Sequence, residues 1–196
     1  TYAKSDLVTY SPVTERFAGT LEGMSLAGLC EATITTSDNS AANFILDSYG
    51  GPAALTRFAR ELGDDTTRLD RRETELNTGT AAALLDTTTP RAMALTMQKL
   101  LLGNALSPAS RQQLQQWLVA NTTGDKRLRA GLPSGWRVGD KTGTNQTDAN
   151  DIGIAWPANG RPPLIITAYL AESTATSAVK EATLAGVARL AARLVA

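Results

Sequence analysis

The chain has 196 residues, of which 42% are hydrophobic and 19% charged, and its 19 Lys and Arg balance its 19 Asp and Glu. This composition supports a full core; zero net charge and no apolar run of about 20 residues give no basis for binding nucleic acid or a membrane. With one cysteine and no histidine, a Ser-His-Asp triad, a Cys-His pair and a cysteine-based zinc site are excluded within these residues. We expect no metal ion and no cofactor, and Cys30 is predicted to be a small core residue.

Helices dominate the first part of the chain. Ser25 is a typical N-cap residue, and the apolar period after it predicts a helix with Leu26 on its inward face. Gly50-Gly51 ends a second helix, and Pro52 begins a third that places Leu55 inward. Two more helices are expected further along the chain, because a Ser or Thr followed by Pro is a helix-opening signal; these pairs are Thr89-Pro90 and Ser107-Pro108.

Short strands follow the helical part. Three segments are rich in β-branched or aromatic residues and are separated by turn residues, which predicts strands over 136–144, 151–156 and 164–170. Asn159-Gly160, between the last two segments, is a strong hairpin signal.

A final helix is predicted over 178–195, with Thr183, Val187, Leu190 and Leu194 on one stripe. A helical block, an antiparallel meander and a covering helix together predict an α+β architecture. We expect an all-helical subdomain over 1–131 and a sheet-and-helix subdomain over 132–196.

The segment 68–89 has no clean helical or strand period and is longer than ordinary connections. Long irregular loops in compact domains are usually functional or disordered. Arg71 and Asp86, near its two ends, are predicted to form a salt bridge that closes an Ω-shaped loop. An unrelated pair of surface charges is the alternative.

Two polar clusters interrupt the apolar pattern. Ser37-Asp38-Asn39 lies between two helices, where a simple helix cap is the alternative interpretation. In the stretch GDKTGT, Lys141 is a poor choice for a buried strand unless an anion or hydroxyl lies near it. Gly143 lets a backbone approach a ligand closely, and the neighbouring threonine hydroxyls suit a carboxylate or a developing oxyanion.

SDN followed by KTG, together with S-x-x-K, is the motif set of class A β-lactamases and penicillin-binding proteins. The chain resembles a class A serine β-lactamase through nearly all of its length. The stretches that carry the resemblance include LCEATITTSDNSAANFIL at 29–46, RLDRRETELNT at 68–78 and RLRAGLPSGWRVGDKTGT at 127–144. This resemblance implies a three-layer α/β sandwich with an all-helical subdomain.

The resemblance also implies three catalytic residues. Ser37 corresponds to the serine that relays a proton to the β-lactam nitrogen as the ring opens. Glu73 corresponds to the general base that activates the deacylating water, which Asn77 helps to hold. Lys141 corresponds to the lysine that keeps the site positive and supports Ser37.

Substrate-binding residues follow from the same resemblance. Asn39 corresponds to the residue that hydrogen-bonds the substrate's side-chain amide, and Tyr10 to an aromatic at the pocket rim. Thr142 and Thr144 correspond to the groups that grip the substrate carboxylate, and the Thr144 N–H to one half of the oxyanion hole. Arg127 lies where some members of the family carry an arginine that assists carboxylate binding.

The family's nucleophile is the serine of an S-x-x-K motif upstream of SDN. In this chain only Ser177 to Lys180 fits that spacing, and it follows KTG; we interpret it as a helix cap followed by a solvated lysine. The nucleophile, its lysine and the first strands and helix of the α/β half are therefore expected outside the 196 residues, in an N-terminal segment or a separate partner chain.

The implied function is hydrolysis of the β-lactam ring of antibiotics through a serine acyl-enzyme, which confers resistance, in a secreted or periplasmic bacterial protein. Two alternatives remain open. A penicillin-binding-protein-like transpeptidase or carboxypeptidase would not need Glu73, since deacylation by water is that residue's role. A non-catalytic fragment would bind β-lactams or complement a partner chain.

Overall fold

The computed structural model describes residues 1–78, 83–158 and 160–195. It divides into two units, Thr1–Ala92 and Met93–Ala196. Helices occur together with a three-stranded antiparallel sheet, so the predicted α+β architecture is confirmed. The division of the chain at residue 131 stays a prediction.

Among the described residues of the first unit that precede Pro90, the structure has three α-helices and three short 3-10 helices. The α-helices are α1 (Leu26–Thr36), α2 (Asn39–Tyr49) and α3 (Pro52–Glu61), and the 3-10 helices are Lys4–Asp6, Thr14–Phe17 and Glu75–Asn77. The predicted ends are confirmed: the Ser25 side chain accepts a hydrogen bond from the Gly28 N–H, and Gly50 ends α2 in the left-handed conformation at φ 101°. Helix ends depend on local residues, which is why the sequence predicts them well.

One buried apolar cluster of the first unit lies around α1 and α2. Leu29, Ala32 and Ala41 are buried, and apolar side chains around them complete the cluster: Val13, Met24, Phe44 and Ile45. Two predicted inward residues are exposed instead, Leu26 at 54% and Leu55 at 39%. Cys30, expected in the core, is half-buried, and burial raises the pKa of its thiol.

The loop after α3 is closed as predicted. Arg71 Nε lies 2.6 Å from Asp86 Oδ2, and Asp86 Oδ1 accepts hydrogen bonds from the Asp70 and Arg71 N–H groups. Burial alone would raise the pKa of Asp86, but these hydrogen bonds and the Arg71 charge outweigh it and hold the pKa below its ordinary value. Residues 79–82 of this loop lie outside the described part of the chain.

The second unit contains most of helix α4 (Pro90–Leu101), together with α5 (Pro108–Val119), α6 (Leu128–Gly131) and α7 (Ser177–Arg193). Its sheet has the order β1-β2-β3, with β1 at Arg137–Thr144, β2 at Ala149–Trp156 and β3 at Leu164–Leu170. The antiparallel β2–β3 pairing confirms the predicted hairpin connection, although Asn159 itself lies outside the described residues. Helix α6 was not predicted, because four residues are too few for an apolar period to show.

Helix α7 packs against β2 and β3 and confirms the predicted covering helix. Its buried face is formed by Lys180, Leu184, Ala185, Ala188 and Ala192. The apolar stripe predicted from the sequence lies on the opposite, exposed side, where Leu190 is 63% exposed and Leu194 87%. Leu184 and three alanines therefore make the contact, and Gly131 of α6 is required there because a Cβ would lie 1.9 Å from the Ala185 carbonyl oxygen.

The interpretation of Ser177 and Lys180 needs correction. The N-cap residue of α7 is Thr176, so Ser177 is the first helical residue. Lys180 is only 5% exposed and is not solvated; its Nζ donates a 2.9 Å hydrogen bond to the Gln146 carbonyl oxygen. Burying the aliphatic stem while satisfying the ammonium with a carbonyl explains this placement.

Candidate active site

Ser37-Asp38-Asn39 forms the corner between α1 and α2. Ser37 is the C-cap of α1 in the left-handed conformation at φ 60°, and Asp38 is the N-cap of α2. The Asp38 carboxylate is fully buried and accepts hydrogen bonds from the N–H groups of Val13, Thr14 and Ala41, each at 2.9 Å. Asp38 therefore anchors the corner rather than pointing to solvent, and Ser37 is held next to it in the left-handed conformation.

The structure brings Asn39 and Tyr10 together. The Asn39 N–H donates a 3.0 Å hydrogen bond to the Tyr10 carbonyl oxygen, and its side-chain amide donates to the Thr9 carbonyl oxygen at 2.9 Å. The Tyr10 ring is 58% exposed, and its backbone has φ 63°. An exposed aromatic ring thus lies beside the SDN corner.

Glu73 and Asn77 are also brought together. The Asn77 amide donates a 2.8 Å hydrogen bond to Glu73 Oε2, and the 3-10 helix Glu75–Asn77 sets the turn between the two residues. The peptide bond between Glu73 and Thr74 is cis. A carboxylate held by an amide at this distance is oriented to bind and deprotonate a water molecule.

Sequence reasoning missed Asn43, which holds the Glu73 backbone from α2. The Asn43 amide donates to the Glu73 carbonyl oxygen at 2.8 Å, and its Oδ1 accepts from the Glu73 N–H at 3.0 Å. Asn43 lies one helical turn after Asn39, so both amides share a face of α2. An asparagine inside a predicted helix was the available signal, since Asn is unfavourable there without a partner.

Glu73 and Asn43 also line a cavity of about 640 Å³ in the first unit, together with Tyr2, Asp47 and Arg72. Arg72 is fixed at its wall by a two-point interaction with Asp47, with Nη2 donating to Oδ2 at 2.7 Å. Glu73 thus contributes to the wall of a concave surface in the first unit.

In the second unit, β1 presents the KTG residues. Lys141 Nζ donates a 2.7 Å hydrogen bond to the Thr142 carbonyl oxygen, and the hydroxyl oxygens of Thr142 and Thr123 lie 2.6 Å apart. At Gly143 a Cβ would lie 3.6 Å from its nearest neighbour, an ordinary contact with Asn150. Packing within the protein therefore does not require glycine at this position.

Arg127 lies against the end of β1 and is only 6% exposed. Its Nη1 donates to the carbonyl oxygens of Gly143 at 3.0 Å and Asn150 at 2.7 Å. Its Nη2 donates to the Thr144 hydroxyl at 2.6 Å. The guanidinium and Lys141 together make this end of the strand cationic, which suits an anionic ligand group.

Two carboxyl groups that sequence reasoning missed lie fully buried behind this strand. Asp140 accepts from Arg129 Nε at 2.7 Å, and Asp151 accepts from the Leu128 N–H at 3.0 Å. Burial, and secondarily the Asp140 charge, raise the pKa of Asp151 to about 8. Aspartate is depleted in strands, and this was the available signal.

Each predicted site residue therefore falls into one of two groups, one in each unit. The first unit holds Tyr10, Ser37, Asn39, Glu73 and Asn77; the second holds the remaining five, which are Arg127, Lys141, Thr142, Gly143 and Thr144. No cluster of three or more His, Cys, Asp or Glu suited to a metal ion occurs among residues 1–78, 83–158 and 160–195. Within those ranges no helix is long and apolar enough to span a bilayer.

Known proteins resemble this chain over its whole length. Residues 1–195 match the model of the beta-lactamase enzyme family. Beta-lactamase L2 of Stenotrophomonas maltophilia is 50% identical over 97% of this chain and 63% of its own length. The carbapenem-hydrolyzing beta-lactamase KPC of Klebsiella oxytoca is 46% identical over 97% of this chain and 64% of its own length. The chain thus spans less than two thirds of the length of these relatives.

Solved structures agree with the sequence matches. An ancestral (GNCA) class A beta-lactamase is 59% identical with a TM-score of 0.95, over 99% of this chain and 74% of that chain. The last common ancestor of Gram-negative bacteria (GNCA4) class A beta-lactamase is 58% identical with a TM-score of 0.96, over 100% of this chain and 74% of that chain. The chain therefore belongs to the class A β-lactamase family.

Proposed function

We propose that this chain is part of an enzyme that hydrolyses the β-lactam ring of antibiotics through a serine acyl-enzyme. The observation that carries the proposal is the 2.8 Å hydrogen bond between the Asn77 amide and the Glu73 carboxylate. A carboxylate and an amide side by side can orient one water, and the carboxylate can take its proton as the water attacks the acyl ester. Histidine is not needed for this step, in agreement with its absence from the chain.

Substrate binding is assigned to the other group of residues. A β-lactam antibiotic carries a carboxylate, and Lys141, Thr142, Thr144 and Arg127 offer it positive charge and hydroxyl donors. The Thr144 N–H would also donate to the oxyanion that forms when the ring carbonyl is attacked. Asn39 and Tyr10 are assigned to the substrate's side chain.

The catalytic cycle draws on residues of both groups. Ser37 would then pass a proton to the ring nitrogen, with Lys141 stabilising the negative charge nearby. The nucleophilic serine and its lysine would be supplied from outside the 196 residues, by an upstream segment or a partner chain. We further propose export to the periplasm or to the medium, where such an enzyme meets antibiotics before they reach their targets.

The substrates are proposed at the level of the β-lactam class. One relative is named for carbapenem hydrolysis, and carbapenems therefore belong in the substrate panel alongside penicillins and cephalosporins. The turn after KTGT, Asn145 to Asp148, is tied by the Asn145 side chain, whose Oδ1 accepts from the Asp148 N–H at 2.7 Å. This turn adjoins Thr144, so its substitution is expected to alter the preference among the three classes.

A nitrocefin assay on the complete protein that carries these residues tests the proposal. We expect Glu73→Ala to lower kcat by about 1,000-fold, because a positioned general base contributes about 100- to 10,000-fold. Glu75→Ala is the matched control, since Glu75 lies on the same loop and is exposed, and it should retain most of the wild-type kcat. Equal activity of Glu73→Ala and wild type would contradict the proposal.

A further inference from the structure

Asp140 and Asp151 lie on one face of the sheet and are both fully buried. Asp151 is paired across the strands with Thr142, and Asp140 with Gly153. Because side chains alternate between faces along a strand, both carboxyl groups project to the same side, diagonal to each other. Two carboxylates this close cannot both be charged in a buried site without a large cost.

The surroundings of the two carboxyl groups differ. Asp140 faces the Arg129 guanidinium at 2.6 Å and fills space that only a glycine at 124 leaves open, since a Cβ there would lie 1.5 Å from Asp140 Oδ2. Among the residues that the structure describes, Asp151 makes no ion pair, and its hydrogen bond is the one from the Leu128 N–H. The charged groups that face Asp151 are Asp140 from β1 and, from the α6 region, Arg127 and Arg129; β3 places Ala168 opposite it.

Two observations connect Asp151 with Arg127, whose charge acts on the Asp151 carboxyl group. Asp151 accepts a hydrogen bond from the Leu128 N–H, and this N–H belongs to the peptide group that joins Arg127 to Leu128. Within the part of the chain that the structure describes, both Asp151 Oδ1 and Arg127 Nε are buried without a hydrogen-bond partner. A negative charge on Asp151 would therefore compete for the guanidinium, which now donates to Gly143 and Thr144.

We propose that Asp151 is a positioning residue for the proposed reaction: as an uncharged carboxylic acid it holds the start of α6 and leaves the Arg127 guanidinium directed at Thr144. Burial and the neighbouring Asp140 charge favour the protonated form, in accord with a pKa of about 8 for Asp151. Ionisation at higher pH would draw Arg127 Nε towards Asp151 and away from β1. The role of the Arg127–Thr144 contact in substrate binding rests on the proposed function. The dependence of that contact on the charge of Asp151 does not.

Side-chain NMR on the complete protein tests the contact without using activity. In the wild type, we expect the Asp151 carboxyl carbon to titrate with a midpoint near pH 8, and the Arg127 Nε resonance to shift with the same midpoint. Asp151→Asn keeps an acceptor for the Leu128 N–H and cannot ionise. The pH-dependent shift of the Arg127 Nε resonance near pH 8, called the Arg127 step below, should therefore disappear. Asp125→Asn, at an exposed position of the same segment, should leave the step unchanged.

Kinetics then test the link to the reaction. Between pH 7 and 9.5 we expect KM for an anionic β-lactam to rise about fivefold in the wild type, the factor of one ordinary hydrogen bond, with kcat changing less. In Asp151→Asn the ratio of KM at the two pH values should stay near one. If no β-lactam is hydrolysed at any pH, the proposed function fails while the NMR result still decides the contact.

Two results would overturn the proposal. One is a carboxyl midpoint for Asp151 below pH 6 in the wild type, which decides the matter even if the Asn variant does not fold. The other is an Arg127 step that persists in a folded Asp151→Asn variant.

The pH dependence of the folding stability tests the protonation state of Asp151 independently. The pKa of Asp151 in the folded state is above the ordinary 3.8, so its protonated form stabilises the fold fully below about pH 3.8 and this contribution is lost as pH rises through 8. The melting temperature of the wild type should therefore fall relative to Asp151→Asn between pH 5 and 9.

Discussion

The loop that carries Glu73 and the strand that carries Lys141 are held by different kinds of interaction. In the loop, side chains hold the backbone: Asn43 bonds both backbone groups of Glu73, and Arg71 pairs with Asp86. In β1, backbone pairing with β2 sets the geometry, and buried charges lie behind it. The loop should lose its geometry when one of these side chains is removed. The strand should keep its geometry after the loss of one side chain, unless that loss leaves a buried charge unpaired.

The largest effect is expected behind the strand. Arg129→Ala leaves the fully buried Asp140 carboxylate without its cation, and breaking a buried pair by removing one partner costs about 3–5 kcal/mol. Denaturant unfolding of the complete protein measures this loss. Arg68→Ala is the control, because the Arg68–Asp70 pair is exposed and its loss should change the unfolding free energy little. Equal, small effects of both substitutions would show that Asp140 does not depend on Arg129.

The loop should respond in activity more than in stability. Asn43→Ala removes both hydrogen bonds to the Glu73 backbone, and the loss of about 2–3 kcal/mol in positioning corresponds to about 100-fold in kcat. The melting temperature should change less than in Arg129→Ala. Ser48→Ala on the exposed face of α2 is the matched control and should leave nitrocefin hydrolysis near the wild-type rate. A large fall in melting temperature with normal kcat would contradict the distinction between loop and strand.

The smallest effect is expected at a single hydroxyl pair. Thr123→Val removes the partner of the Thr142 hydroxyl at 2.6 Å, together with the hydrogen bond that the Thr123 hydroxyl donates to Asn121 Oδ1, but leaves the backbone of β1 in place. We expect KM for an anionic β-lactam to rise about fivefold, the worth of one hydrogen bond, with kcat within a factor of about two. Steady-state kinetics with Thr122→Val as the control separate this effect from general disturbance of the segment. A fall in kcat with unchanged KM would argue against a role in ground-state binding.

The sequence predicts features that depend on neighbouring residues and misses those that depend on distant ones. Helix ends at Ser25, Gly50 and Pro52 were predicted correctly, because capping is local. The buried face of α7 was predicted wrongly, because the sequence of a helix with apolar residues on two sides does not reveal which side packs. In this helix Leu184 and three alanines make the contact, while Leu190 and Leu194 are exposed.

The same distinction applies to the candidate site. Ser37, Glu73 and Lys141 stand in short motifs that can be recognised one by one, and their roles stay predictions. Asn43 and Asp151 were missed, because their partners lie 30 and 23 residues away along the chain. Their importance follows from burial and from the groups opposite them, and neither is visible in a linear pattern.

The most direct test of the account is intact-mass spectrometry of the complete Glu73→Ala protein after exposure to a penicillin, followed by peptide mapping. If Glu73 drives water attack on an acyl-enzyme, the variant should retain a covalent adduct that the wild type and Glu75→Ala lose, and the adduct should map to a serine outside residues 1–196. Rapid loss of the adduct from Glu73→Ala, or an adduct on Ser37 or Ser177, would contradict the account.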